Sequence, residues 1–204
     1  MLLTEIDRRR FLVGGICGLA SRDSPRSKQE LIRMFLSRTG NACILDVKKL
    51  TLNSGALRLL AECVLDVTGG WHADAIGALR GRMSSGAETL LGATLAASQR
   101  DMDGFFTRVD QSLHVAPPFE AGRFNGEKRG RLVLLDGITS RADRLWSPIA
   151  RIESVLRGSS VIGLISVFDW ERGCAEDLTT AGLHFHAILR ASELGVVDRL
   201  RRAH

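Results

Sequence analysis

The residues best suited to chemistry stand together in Leu132-Val133-Leu134-Leu135-Asp136-Gly137-Ile138-Thr139-Ser140. An apolar run delivers a carboxylate, and two hydroxyls follow within four residues. A strand-end aspartate suits ribose hydroxyls or a metal ion. Hydroxyls and free amides at a helix N-terminus suit a phosphate. Asp136 could equally serve only to cap the next helix. Arginines cluster in Gly77-Ala78-Leu79-Arg80-Gly81-Arg82, at Arg108, and in Asp169-Trp170-Glu171-Arg172. His72, His184, His186 and His204 have no metal-ligand spacing with cysteines or carboxylates. His184 and His186 share one face of a strand of period two, either at one ligand or on a plain surface.

These residues need elements to hold them. Residues 43–47 are a short apolar run of strand type. Ser54 can cap a helix whose apolar face is Leu57, Leu60, Ala61, Val64 and Leu65, stopped by Gly69-Gly70. A second strand covers 73–79. Ser85-Gly86-Ala87-Glu88 has the form of a capping box, ahead of a helix through Leu90, Leu91, Thr94 and Leu95. Strands follow at 105–109, at 131–136 (ending on Asp136), at 161–168 and at 183–189. A helix with Leu145, Ile149, Ile152 and Leu156 on one face comes after the hydroxyls, with Pro148 in its first turns. Ser192-Glu193-Leu194 begins a last helix. Residues 110–130 are a long polar stretch with Pro117, Pro118, Gly122 and Gly126, of a length usually reserved for function or motion. Alternating helices and continuous apolar strands predict an α/β fold, a doubly wound and mainly parallel sheet. In such sheets ligands bind beyond the carboxyl ends of the strands, which gathers Asp136, 77–82, Arg108 and 169–172 around one cleft.

The chain has 204 residues and a formal charge of +5. No run of about 18 apolar residues exists to span a membrane. Cys17, Cys43, Cys63 and Cys174 are far apart with no CxxC pair, which argues against a zinc ribbon or a disulfide framework. The positive excess is not spread evenly. Residues 1–33 carry seven basic and four acidic side chains, residues 198–204 three and one, and residues 34–197 balance. This divides the chain into a basic N-terminal extension (1–33), a balanced domain (34–197) and a basic tail (198–204). Asp7-Arg8-Arg9-Arg10-Phe11-Leu12 resembles a twin-arginine export start, but only eight apolar residues follow, three of them glycine. A cytoplasmic protein is therefore expected.

The segment around Asp136 also resembles the phosphoribosyl-pyrophosphate motif of the type I phosphoribosyltransferases, two acids, two variable residues, two hydroxyls and glycine. The orotate phosphoribosyltransferases are the nearest members. Asp46-Val47-Lys48-Lys49-Leu50, Ala56 to Ala61, Phe106-Thr107-Arg108 with His114, Phe168-Asp169, Ala181-Gly182-Leu183 and Ser192-Glu193-Leu194 follow the family pattern in order. The resemblance implies a domain of that fold over 34–197, a magnesium-dependent exchange of pyrophosphate for a pyrimidine base if the chain is active, and a homodimer or a heteromer with a related enzyme. Residue by residue it implies Asp136, Arg108 and His114 as catalytic, Asp136, Thr139, Ser140 and Arg141 on phosphate and ribose, Trp170 and Arg172 at the base, and no protein-held metal.

The departures fall on the chemistry. Leu135 stands where the family has a second acid. Arg141 and Ala142 replace glycines that let the backbone curl around a phosphate. Val109 and Ser112 fall where the mobile loop has lysines, and Trp170 where an arginine faces the base. The expectation is a protein that binds phosphoribosyl pyrophosphate or a nucleotide and is impaired or altered as a catalyst. An active orotate-type transferase, with Arg141 and Arg172 replacing lost groups, is the alternative. A second alternative is a module that binds nucleic acid or protein through its basic ends.

Overall fold

A computed structural model describes residues 28–32, 34, 47–80, 86–108, 119–121, 130–156 and 158–194. Its helices are α1 (Val47–Thr51), α2 (Ser54–Gly70), α3 (Ala87–Ala97), α4 (Trp146–Val155) and α5 (Cys174–Thr180). Its strands are β1 (Ala75–Arg80), β2 (Asp103–Arg108), β3 (Phe119–Ala121), β4 (Arg131–Thr139), β5 (Ser160–Asp169) and β6 (His184–Arg190). They form one sheet in the order β3-β2-β1-β4-β5-β6. Every neighbouring pair is parallel except β2 with β3. This is the expected doubly wound α/β sheet.

The two-residue period of the strands splits the core into two layers. Val133 and Leu135 of β4 face α2 and α3, in a cluster with Leu60, Val64, Leu90 and Leu91. Leu132 and Leu134 face α4 and α5, with Ile149, Ile152, Cys174 and Leu178. Burial on both faces explains why these strands read as unbroken apolar runs. Gly77 in β1 leaves the space that Phe105 of β2 fills: a Cβ there would lie 2.0 Å from the ring.

Several expectations change. Val47 opens α1 and ends no strand; residues 43–46 lie outside the described residues. Asn53, not Ser54, caps α2, its Oδ1 accepting from the Ala56 amide at 2.9 Å. Ser85 of the expected capping box lies outside the described residues. The chain enters α3 through Gly86 in the left-handed region (φ 92°) with no side-chain cap, and Glu88 instead pairs with Arg80 at 3.1 Å. Helical residues 28–32 place Leu31 fully inside the core, and Lys28 pairs with Glu193 at 2.6 Å. The packed body thus takes in part of the segment that charge alone assigned to the extension. Residues 191–194 form turns.

The largest change concerns β4. Asp136 does not end it; the strand continues to Thr139 because Asp136, Ile138 and Thr139 still pair with Ser166, Phe168 and Asp169 of β5. The next helix starts at Trp146, so the hydroxyls do not sit at a helix N-terminus. Pro148, third in α4, falls in the first turn, where its missing N–H costs nothing.

Candidate functional site

The sheet order reverses between β1 and β4. Chains leaving the two strands diverge there, one towards each face, and leave a crevice at their carboxyl ends. Arg80 ends β1, Arg108 ends β2 beside it in register, Thr139 ends β4 and Asp169 ends β5. The Arg80 guanidinium lies over the Phe106 ring, 4.2 Å from its centroid. The topology therefore brings the segments around Arg80, Arg108, Asp136 and Asp169 to one edge, as expected. His114, Arg82 and the side chain of Arg108 lie outside the described residues.

Asp136 is fully buried. Its charge is met by Arg144, which donates to Asp136 Oδ2 and also to the Ile138 carbonyl. About a quarter of the Arg144 side chain stays open to solvent (25% exposed). Removing one partner from a buried pair of this kind typically costs about 3–5 kcal/mol. A ribose diol or a cation must therefore displace a guanidinium before it can use Asp136. Sequence reasoning missed Arg144. The available signal was a second arginine three residues after Arg141, in a loop where the family pattern has glycine.

Thr139 also turns inward. Its Oγ1 lies 3.0 Å from Ser166 Oγ and 3.1 Å from Asp169 Oδ1, and Ser166 donates to the Phe168 carbonyl at 2.7 Å. Burial raises the Asp169 carboxyl above the ordinary value of 3.8, partly offset by hydrogen bonds from the Glu171 amide and Thr139. Cys174, at the start of α5, is buried, and its thiol is pushed up to about 12 by burial and by Asp169 and Asp136, against the pull of Arg144. Ser140 is half-buried, whereas Arg141 and Asp143 are exposed on the same loop.

Beyond β5 the chain bends sharply at Glu171, a non-glycine residue at φ 54°. The conformation is held by its own carboxylate, which accepts from the Ser192 amide at 2.6 Å and the Ser192 hydroxyl at 3.0 Å. This bend presents Trp170 edge-on to Phe168, with the Arg172 guanidinium 5.7 Å from the Trp170 ring centroid. Trp170 and Arg172 thus form one aromatic-cationic surface beside Asp169. His184 stacks on Trp71 at 5.2 Å, at the opposite, amino-terminal end of the strands, where it takes no part in this site. Among the described residues, no group of three or more His, Cys, Asp or Glu could hold a metal ion. None of the described helices is long and apolar enough to cross a membrane.

No family model matches the chain. Individual proteins do. The orotate phosphoribosyltransferase of Streptomyces avermitilis is 30% identical over 156 residues, 74% of this chain and 81% of that protein. That of Corynebacterium glutamicum is 26% identical over 153 residues, 74% and 78% of the two chains. Among solved structures, a phosphoribosyltransferase from Corynebacterium diphtheriae superposes with a TM-score of 0.69 at 21% identity, over 83% of this chain and 99% of that one. The Mycobacterium tuberculosis orotate phosphoribosyltransferase in complex with phosphoribosyl pyrophosphate gives 0.65 at 21% identity, over 86% and 93%.

Proposed function

This chain belongs to the orotate phosphoribosyltransferase family, and we propose that it binds a phosphorylated ribose or nucleotide at the β1/β4 crevice while its transferase chemistry is impaired. The observation that carries this reading is the commitment of Asp136 to Arg144, with Leu135 beside it where a second acid would stand. The family reaction builds positive charge on the ribose and negative charge on the departing pyrophosphate. Groups aimed at those charges supply most of the acceleration. Here the ribose side keeps one carboxylate, already neutralised. On the pyrophosphate side Val109 and Ser112 replace lysines, a loss of about a factor of 100 or more in rate for each group acting in the transition state.

Binding asks less of the site. Ser140, Arg141 and Arg144 would hold a phosphate, Arg141 offering paired donors to its oxygens and Arg144 the N–H groups it does not give to Asp136 and Ile138. Trp170 and Arg172 would meet the base, the ring by stacking and the cation by hydrogen bonding. Arg108 and His114 would stand near the leaving group. Asp136 would act through Arg144, by fixing it. Thr139, whose hydroxyl is used inside the protein, would support the end of β4 rather than touch the ligand. Magnesium, which the resemblance implies for an active enzyme, does not fit the donors present, because Asp136 and Asp169 are both engaged from within. Following the family, self-association or pairing with an active relative is part of this proposal.

The test is orotate consumption with phosphoribosyl pyrophosphate and magnesium, beside calorimetric titration of the same ligands. Binding without turnover is expected. Turnover abolished by Asp136→Asn would show an active transferase instead. Absence of binding by any phosphorylated ribose would remove the reading.

A further inference from the structure

We propose that Arg144 does the work of a divalent cation at this site, so that the phosphorylated ligand is bound without a magnesium requirement. The inference rests on the proposed binding function and deepens it. Three observations carry it. The first is the fate of the carboxylates that could hold a cation near the carboxyl ends of β4 and β5. Asp136 accepts from Arg144, and Asp169 is bonded to Thr139. Glu171 holds Ser192, and Glu193 holds Lys28 and the Arg190 amide. Among the described residues there Asp143 remains, exposed on the loop, and one carboxylate is a poor holder for an ion that dehydrates reluctantly.

The second observation is how Arg144 is fixed. It donates both to Asp136 and to the Ile138 carbonyl, so the guanidinium is oriented from two points on β4 before any ligand arrives. A preoriented cation loses little freedom on binding. The third is its partial exposure, with Arg141 three residues earlier on the same loop. Magnesium neutralises phosphate oxygens as a point charge. Two guanidinium groups can do so with directed hydrogen bonds and a more weakly held hydration shell to shed.

The experiment is calorimetric titration of ribose 5-phosphate and phosphoribosyl pyrophosphate into the full chain, in buffer with magnesium and in buffer with EDTA. Affinities within about two-fold of each other in the two buffers are expected, and a gain of about ten-fold or more with magnesium overturns the inference. Binding in neither buffer removes the proposed function itself, and this inference with it. Arg144→Gln alone would leave a buried Asp136 without its counter-ion, so the informative variant is Asp136→Asn/Arg144→Gln, with folding checked by circular dichroism. It should lose about ten-fold or more of the magnesium-free affinity, and Arg144→Lys less. Wild-type affinity in the double variant overturns the assignment of Arg144. If the double variant is unfolded, the Arg144→Lys comparison carries the same decision: undiminished affinity for both ligands would overturn the need for a guanidinium.

Discussion

Asp169 is the most informative single residue after Arg144. Its Oδ1 accepts from the Thr139 hydroxyl inside the protein, beside Ser166, which donates to the Phe168 carbonyl. Burial raises its carboxyl above the ordinary value, the largest influence on it. Because the native value is raised above the unfolded one, the folded state binds the carboxyl proton more tightly. The resulting stabilisation is complete below the unfolded value of 3.8 and is lost as pH climbs through the raised native value. Asp169→Asn, which keeps an acceptor and cannot ionise, should therefore gain on the wild type as pH rises from about 4 to 7. Urea unfolding at several pH values checks this, and a gap that does not change with pH would refute it. Cys174, with its thiol raised to about 12, should resist alkylation at about pH 8 in the native protein and react once unfolded, as read by peptide mass at that residue. At this scale the sequence was only half legible. That Asp136 belongs to a buried strand follows from its neighbours. That Arg144 returns across eight residues to neutralise it depends on a loop conformation that no periodicity encodes.

At the scale of elements, alternation and apolar runs located the helix after Asn53 and the five parallel strands, because burial on both faces leaves a strong signal. The extents failed where tertiary pairing overrode local cues. β4 reads as ending at its carboxylate, but it continues because Asp136, Ile138 and Thr139 stay paired with β5, and the Thr139 hydroxyl meets Ser166 and Asp169 there. Glu88, expected to close a capping box, pairs with Arg80, and the chain enters α3 through a left-handed glycine. Gly77 shows how tightly the central strands are fitted. A methyl group placed there would overlap Phe105, whose ring lies inside the layer between the sheet and α4 and α5. Gly77→Ala should destabilise by about 1–3 kcal/mol, as overpacking does. Combined with Phe105→Leu, the same substitution should cost less than it does alone, a coupling that a double-mutant cycle of unfolding free energies would measure. Simple additivity would mean that Phe105 is not what the glycine accommodates.

For the whole molecule the net charge of +5 is a poor guide to the site, because the balance over 34–197 is neutral. A phosphate at the crevice must be held by nearby groups, Arg141 and Arg144 above all, and not by a long-range field. The ends are a separate matter. Residues 1–26 carry Arg8, Arg9, Arg10, Arg22 and Arg26 against Glu5, Asp7 and Asp23, and residues 198–204 carry three arginines against one aspartate. Trimming to 27–197 keeps Leu31 in the core and the Lys28–Glu193 pair, yet removes four of the five net charges. Screening reaches about 8 Å at physiological salt, so charges at the ends act only on what they touch. Titration with ribose 5-phosphate should therefore give the same affinity before and after trimming, whereas retention on heparin or DNA should fall to a lower salt concentration. If trimming abolishes both, the ends contribute to the ligand site. If nucleic-acid affinity is strong in the full chain and vanishes with the ends while no ribose phosphate binds at all, the old fold is a scaffold and its basic ends are the functional surface.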